Sequence, residues 1–252
     1  MHDPENRQLP AAKEFWEVLL QYYSAICVSA SDKVSPEFIE FLTKGGANVR
    51  QSVRGIGEGR RESVRMALDQ KSDLIQYCDF DRILHWVATF PQELPMVASA
   101  IVNSDFLILG RTQRAFGLHP NVQQVTEDLT NKAFSLAFGQ IVDVTAGSSA
   151  MNREAAKIIV SDSKSDINDT DTEWPIIVVE RGMKVDSLLL EGLEFETADY
   201  YADQIAAAGS LENWMEQTYG HSNMWKYRSE MTRKSVERIV EYAQRSGKIA
   251  GK

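Results

Sequence analysis

Two aspartates one residue apart, Asp79 and Asp81, end the run Leu74-Ile-Gln-Tyr-Cys-Asp-Phe-Asp-Arg82. An apolar stretch running straight into two carboxylates puts both on one side of a strand end, where they are costly unless a cation neutralises them. Hard oxygen ligands suit Mg2+ or Mn2+, which take one or two carboxylates and complete their shell with substrate phosphates. The same residues would also serve as exposed turn aspartates with Arg82 as local partner. A second pattern precedes them, Arg54-Gly-Ile-Gly-Glu-Gly-Arg-Arg-Glu-Ser63. Its glycines, Gly57 among them, permit close backbone approach, and Arg60 and Arg61 add positive charge at a helix start that favours phosphate. No Gly-Lys-Ser/Thr follows, so it is not a Walker A loop. It follows the second strand, so it is not a dinucleotide fingerprint. Read alone, it is a turn opening a helix. A third pattern, Asp143-Val-Thr-Ala-Gly-Ser-Ser-Ala-Met-Asn-Arg153, offers the Gly147 and Ser148 donors to a ligand, or simply caps a helix through Ser148 or Ser149. The loop Arg111-Thr-Gln-Arg-Ala-Phe-Gly-Leu-His119 mixes donors with an aromatic, as sugar or acidic acceptor sites do, or is a polar loop anchored by Phe116.

These residues need a scaffold that brings strand ends together. Candidate strands fall at 25–29, 48–53, Leu74–Cys78, 106–109, 141–145 and 176–180, with helical patterns at 11–23, Pro36–Lys44, 59–70, 122–138 and 149–160. Ser35 before Pro36 is a sound helix start and Gly45-Gly46 a clear stop. Strand–helix alternation of this kind predicts an α/β sandwich with a mainly parallel sheet, whose ligands bind beyond the carboxyl ends of the strands. Segment 161–173 is polar and acidic and predicts a mobile surface loop. No internal repeat is visible.

The 252 residues carry 27 Lys+Arg against 36 Asp+Glu, a net charge of −9. The charge is segregated: segment 221–252 holds eight basic and three acidic residues, a net +5, which leaves −14 on the rest. That segment predicts a long amphipathic helix, packed on the body through its apolar stripe or offered to anionic lipid or an acidic partner. Residues 1–220 are expected to form the binding and catalytic domain. The acidic balance argues against binding nucleic acid as a polymer. Two cysteines, Cys27 and Cys78, are too few for a disulfide framework and predict buried free thiols. No apolar run spans a bilayer and the first ten residues are polar, so the expected setting is the cytoplasm.

The order of these motifs resembles the GT-A nucleotide-sugar glycosyltransferases over roughly residues 24–180: a first strand ending Val28-Ser-Ala-Ser-Asp32, then Gly-x-Gly-x-Gly-Arg-Arg, then Tyr-Cys-Asp-Phe-Asp, then a Gly-Ser-Ser turn. Its plan is similar to the small mannosylglycerate-synthase-type enzymes. The resemblance implies a Rossmann-like α/β/α sandwich with a helical C-terminal extension. It also implies a divalent metal (Mg2+ or Mn2+), a nucleoside-diphosphate sugar as donor and transfer of its sugar to a small-molecule or sugar acceptor, leaning towards retention. Carried over by position, Ser29, Ala30 and Asp32 border base and ribose, and Gly57 and Arg60 lie near the nucleotide or pyrophosphate. Asp79 contacts ribose or metal-bound water, and Asp81 binds the metal. Gly147 and Ser148 form the acceptor-side loop. Asp171 or Glu173 stands for the family's later acidic motif, and as base in an inverting reaction. His221 stands for a late histidine on the metal, with His85 and His119 as rivals and Glu127-Asp128 as a competing acidic pair. A catalytically inert GT-A-like module and a sugar-nucleotide pyrophosphorylase are the alternatives, although the latter's lysine-bearing loop after the first strand is absent. Assembly into a homo-oligomer is left open.

Overall fold

The computed structural model describes residues 1–52 and 55–247. Val53, expected at the end of the second strand, Arg54 of the glycine-rich turn, and residues 248–252 of the basic segment lie outside them. In chain order the elements are α1 Leu9–Tyr22, β1 Cys27–Ser31, α2 Pro36–Lys44, β2 Asn48–Ser52, α3 Ile56–Leu68, β3 Leu74–Cys78, α4 Phe80–Thr89, α5 Leu94–Ile101 and β4 Phe106–Arg111. There follow α6 Gln113–Gly117, α7 Asn121–Phe138, β5 Ser148–Asn152, α8 Arg153–Asp162, α9 Thr170–Glu180, β6 Val185–Leu190, α10 Ala202–Ala208, α11 Leu211–Tyr219 and α12 Ser222–Arg245.

The architecture is mixed α/β, but the strands do not form one mainly parallel sheet. β1 and β2 pair in parallel as a two-stranded sheet, and β3-β5-β4-β6 form a four-stranded one. In the latter β4 and β6 are parallel, while β5 runs antiparallel to both β3 and β4. The expected strand at 141–145 is irregular because the Asp143 side chain, not a backbone carbonyl, takes the Arg111 N–H at 2.7 Å. The ladder is instead made by Ser148–Asn152, in the stretch expected to open a helix.

Helices cover both faces of the larger sheet. Every residue of β4 is buried, and its side chains alternate. Leu107 and Leu109 pack with Trp16, Phe38, Leu84 and Trp86 of α1, α2 and α4, whereas Phe106 and Ile108 pack with Phe134, Ile159 and Trp174 of α7, α8 and α9. α2 starts and stops where its caps predict, with Ser35 Oγ accepting from the Phe38 N–H at 3.2 Å. Residues 176–180, read as a strand, belong to α9. This helix is buried nearly all round, so its Trp-Pro-Ile-Ile-Val-Val run has no amphipathic period, and short apolar runs of that kind fit helix and strand alike. The acidic segment 161–173 is likewise not an exposed loop: Ser163, Ser165, Asp169, Thr170, Thr172 and Glu173 are buried in a hydrogen-bonded network. α12 lays Ser235, Ile239, Tyr242 and Ala243 against the body, with Phe138 of α7 tilted on Tyr242 at 5.3 Å. No helix among the described residues is long and apolar enough to cross a membrane. Both cysteines are free and half-buried, and burial pushes the Cys78 thiol up to about 12.

Candidate functional site

The junction of β3 and α4 places the Asp-x-Asp pair. β3 ends at Cys78, Asp79 is the residue before the first turn of α4, and Asp81 lies within that turn, where the helix dipole favours negative charge. Arg60, from the second turn of α3, reaches across to them and is itself 7% exposed. Its Nη2 donates to Asp79 Oδ2 at 2.9 Å, and its Nη1 donates to Asp171 Oδ1 at 2.5 Å and Thr170 Oγ1 at 2.9 Å. The Tyr77 hydroxyl donates to Asp79 Oδ1 at 2.5 Å, under the Arg60 guanidinium. Gly147 closes the group. Its φ of +68° suits glycine, and a Cβ there would lie 3.1 Å from Asp79 Oδ2 and 3.3 Å from Arg60 Nη2.

Arg60, Asp79, Asp171 and Gly147 wall a polar cavity of about 200 Å³, which Arg228, Thr232 and Ser235 of α12 also line. Ion pairs fix its rim. Arg82 holds Glu196 through Nη2 at 2.9 and 3.1 Å and donates through Nη1 to Ala146 O. Arg111 holds Asp143 through two bonds at 2.7 and 2.9 Å and pairs with Glu127, which Arg228 also meets at 2.9 Å. Arg60 Nε, Arg82 Nε, Arg228 Nε and His119 Nδ1 are buried and have no hydrogen-bond partner among the described residues. His119 Nε2 lies 3.3 Å from Leu193 O, and a carbonyl only accepts, so Nε2 carries the proton and Nδ1 is left an acceptor without a partner among the described residues.

The carboxyls differ in charge state. Burial works against ionised Asp79, but Arg60, with Tyr77 and Arg82, outweighs it and holds the group below the usual carboxylate range. Burial raises Asp171 to about 6 despite Arg60, with Asp79 and Glu127 adding repulsion. Asp81 is raised to about 7 by burial and by the nearby charges of Glu196 and Asp79. One carboxyl is thus fixed as an anion, and two stand ready to exchange a proton near neutrality.

Of the residues expected from sequence, Arg60, Asp79, Gly147 and Asp171 converge on this cavity. Ser29, Ala30, Asp32, Gly57, Asp81, Ser148, Glu173 and His221 do not line it. Ser29 and Ala30 are buried in β1 and Asp32 is exposed in the following turn. A Cβ on Gly57 would lie 2.0 Å from Ser165 O, so this glycine admits the 165–166 backbone, and Arg61 binds the same segment through Ser165 O. Ser148 Oγ donates to Cys78 Sγ at 3.1 Å. Glu173 is 3% exposed and accepts from Ser163 Oγ, the Lys164 and Ser165 N–H groups and Arg238, which makes it a structural carboxylate of that loop. His221 is exposed and caps α12, its Nδ1 accepting from the Met224 N–H at 3.2 Å. His85 is also taken, by Asp199 at 2.6 Å and Glu194 at 3.2 Å.

Among the described residues no three His, Cys, Asp or Glu side chains converge as a protein-made metal cage would need. An ion at this site would be held by one carboxylate and completed by a ligand's phosphates. Asp81 Oδ1 accepts from the Arg82 N–H at 3.0 Å, and no described donor bonds its Oδ2, whereas both Asp79 oxygens are engaged. Glu196 and Arg228 are cavity residues that sequence reasoning missed. Arg82, read from sequence as a local partner of the aspartates, lines the cavity and holds Glu196. Comparison with known proteins finds no matching family model and no matching curated protein.

Proposed function

We propose that the protein is a GT-A-type, metal-dependent glycosyltransferase that moves a sugar from a nucleoside diphosphate to an acceptor. The observation that carries this reading is the convergence of Arg60, Asp79, Asp171 and Gly147 beyond the carboxyl end of β3, around a polar cavity. A divalent cation held by Asp81 would supply electrostatic stabilisation of the leaving diphosphate. Arg60 and Arg82 line the cavity, and their guanidinium charge would stabilise phosphate oxygens as charge develops on them. Asp79, held ionised by Arg60, would orient the ribose or the metal's water. Asp171, with its carboxyl near 6, is the cavity's proton acceptor for the incoming hydroxyl, a role that Glu173 is too fully engaged to fill. His119 Nδ1 would take a further hydroxyl of sugar or acceptor.

The test is release of nucleoside diphosphate from UDP-, GDP- and ADP-sugars by the purified chain with Mn2+. The reading expects Mn2+-dependent release with one base, lost in Asp81→Ala and in Asp171→Asn. Binding without release on any acceptor would leave the inert nucleotide-binding module instead. Release of pyrophosphate from a nucleoside triphosphate and a sugar 1-phosphate would instead mark a pyrophosphorylase.

A further inference from the structure

β1 and β3 are edge strands that face one crevice. β1 is paired only with β2, and β3 only with β5, and no backbone hydrogen bond joins the two among the described residues. Between them lies a cavity of about 790 Å³, walled by residues 25–28 and 74–78 and floored by Val64 and Ala67 of α3 on one face and Leu19 and Val97 of α1 and α5 on the other. Two side-chain contacts bridge it: the Tyr23 hydroxyl donates to Gln76 Oε1 at 3.0 Å, and the hydroxyls of Ser24 and Ser72 meet at 3.2 Å.

The backbone direction along β1 is fixed by its neighbour. Asn48 N donates to Ile26 O, so residues 26, 28 and 30 turn their backbone groups to β2, while 27, 29 and 31 turn theirs to the crevice. At one end that edge is already in use. Met1 N donates to Ser29 O at 2.7 Å, and Ser31 N donates to Met1 O at 2.9 Å. Giving to residue 29 and accepting from residue 31 is the bonding of one residue in a strand parallel to β1, set opposite Ala30. Deeper in the crevice, the Cys27 N–H and C=O and the Ser29 N–H have no backbone partner among the described residues. Backbone N–H and C=O groups inside a crevice are satisfied only by polar partners. The crevice therefore favours an occupant with amides and carbonyls along both edges over a hydrocarbon chain, and a single strand would sit about 4.8 Å from each edge.

We propose that the crevice seats an extended strand that runs parallel to β1 and leads directly into Met1, formed by polypeptide N-terminal to position 1. It joins the two sheets into one of seven strands, ordered β2, β1, the added strand, β3, β5, β4, β6. A strand covered on both faces is a near-continuous apolar run, so the segment is rich in Val, Ile and Leu over about five residues, the length of β1. The Met1-to-Ser29 bond needs only a backbone N–H, which an internal residue keeps. The arrangement also removes a cost: burial pushes the Met1 amino group below its ordinary pKa although Asp79 and Asp81 pull it upward, and an internal amide has no charge to desolvate. The added strand ends beside Asp79 and Asp81.

The test is amide hydrogen exchange on the 252-residue chain, alone and with Lys-Val-Ile-Val-Val-Ile fused ahead of Met1, beside a fusion with proline at alternate positions. The apolar fusion is expected to slow the Cys27 and Ser29 amides about 100-fold and to raise Tm, with no effect from the proline fusion. Full protection of those amides in the unfused chain would overturn the proposal, since β1 and β3 would then pair with each other. So would an apolar fusion that leaves them unprotected, or a crevice that takes palmitate and excludes the fused segment. Intact mass supplies a second measurement. Protein from its native cells is expected to exceed the 28.4 kDa of this chain, and an equal mass would refute the assignment of the strand to its own polypeptide.

Discussion

Replacing Arg60 with methionine keeps most of the aliphatic stem and removes the charge that three site residues share. Arg60 is 7% exposed and bonds Asp171, Thr170 and Asp79 at 2.5, 2.9 and 2.9 Å. Removing one partner of a buried ion pair costs about 3–5 kcal/mol, because the other charge is left uncompensated. Asp79 is half-open to solvent, its side chain 38% exposed, which moves the expectation to the lower end, about 3 kcal/mol. For a chain of this size that is a fall in Tm of about 6–12 °C, read by calorimetry at pH 7.5. The pH dependence carries the sharper test. Without Arg60 the carboxyls of Asp79 and Asp171 have folded pKa values above their unfolded ones, so protonation favours the folded state. The gap between variant and wild type should be full near pH 7.5 and shrink as pH falls towards 5. A gap that stays constant over that range would mean lost packing rather than uncompensated charge. A fall below about 2 °C would refute the role of Arg60 as the hub of the site.

Three further outcomes follow from the same geometry. Nucleoside diphosphate release should rise with pH through a midpoint near 6, where Asp171 ionises, and Asp171→Asn should remove that limb and lower the rate about 10²–10⁴-fold while leaving binding intact; an unchanged profile would exclude Asp171 as the proton acceptor. Gly147→Ala forces a side chain into a left-handed conformation against Asp79 and should cost about 1–2 kcal/mol, a fall of about 2–8 °C in Tm, so unaltered melting would contradict the backbone described at 147. His85, between Asp199 and Glu194, has its pKa raised by those carboxyls against the effect of burial. Its stabilisation is therefore full below pH 6.5 and lost as pH rises through the higher folded value. His85→Gln should lower Tm by about 2–4 °C at pH 5.5, with a loss that fades in alkali, and a loss that grows with pH would reverse the assigned charge state.

What could be read from the chain depended on how local the determinants are. Pro36–Lys44 and Leu74–Cys78 match expectation residue for residue, since Ser35, Pro36 and Gly45 write the caps into adjacent positions and β3 is a compact apolar run. Ser148–Asn152 carries no β-branched residue and reads as a turn, yet pairing on both sides makes it a central strand. β6 was missed because Asp186 and Ser187 interrupt its apolar pattern. At the site, Asp79 and Arg60 were legible because each stands in a motif. The choice of Asp171 over Glu173 was not, because it rests on which of two neighbouring carboxylates the 163–165 backbone and Arg238 occupy. The Arg82–Glu196 and Arg228–Glu127 pairs join residues more than a hundred positions apart, a separation over which no local pattern survives. The glycine-rich turn was left between a phosphate cradle and a turn opening a helix; α3 opens there at Ile56, and Gly57 makes room for the chain's own loop.

Titration calorimetry with UDP, GDP and ADP, each with and without Mn2+, on wild type and Asp81→Ala is the most direct test of the claim that the carboxyl end of β3 is a nucleoside-diphosphate site. The account predicts Mn2+-dependent binding of one base by the wild type, weakened at least tenfold in Asp81→Ala. Absence of binding by all three, or Mn2+-dependent binding that Asp81→Ala leaves unchanged, would contradict it.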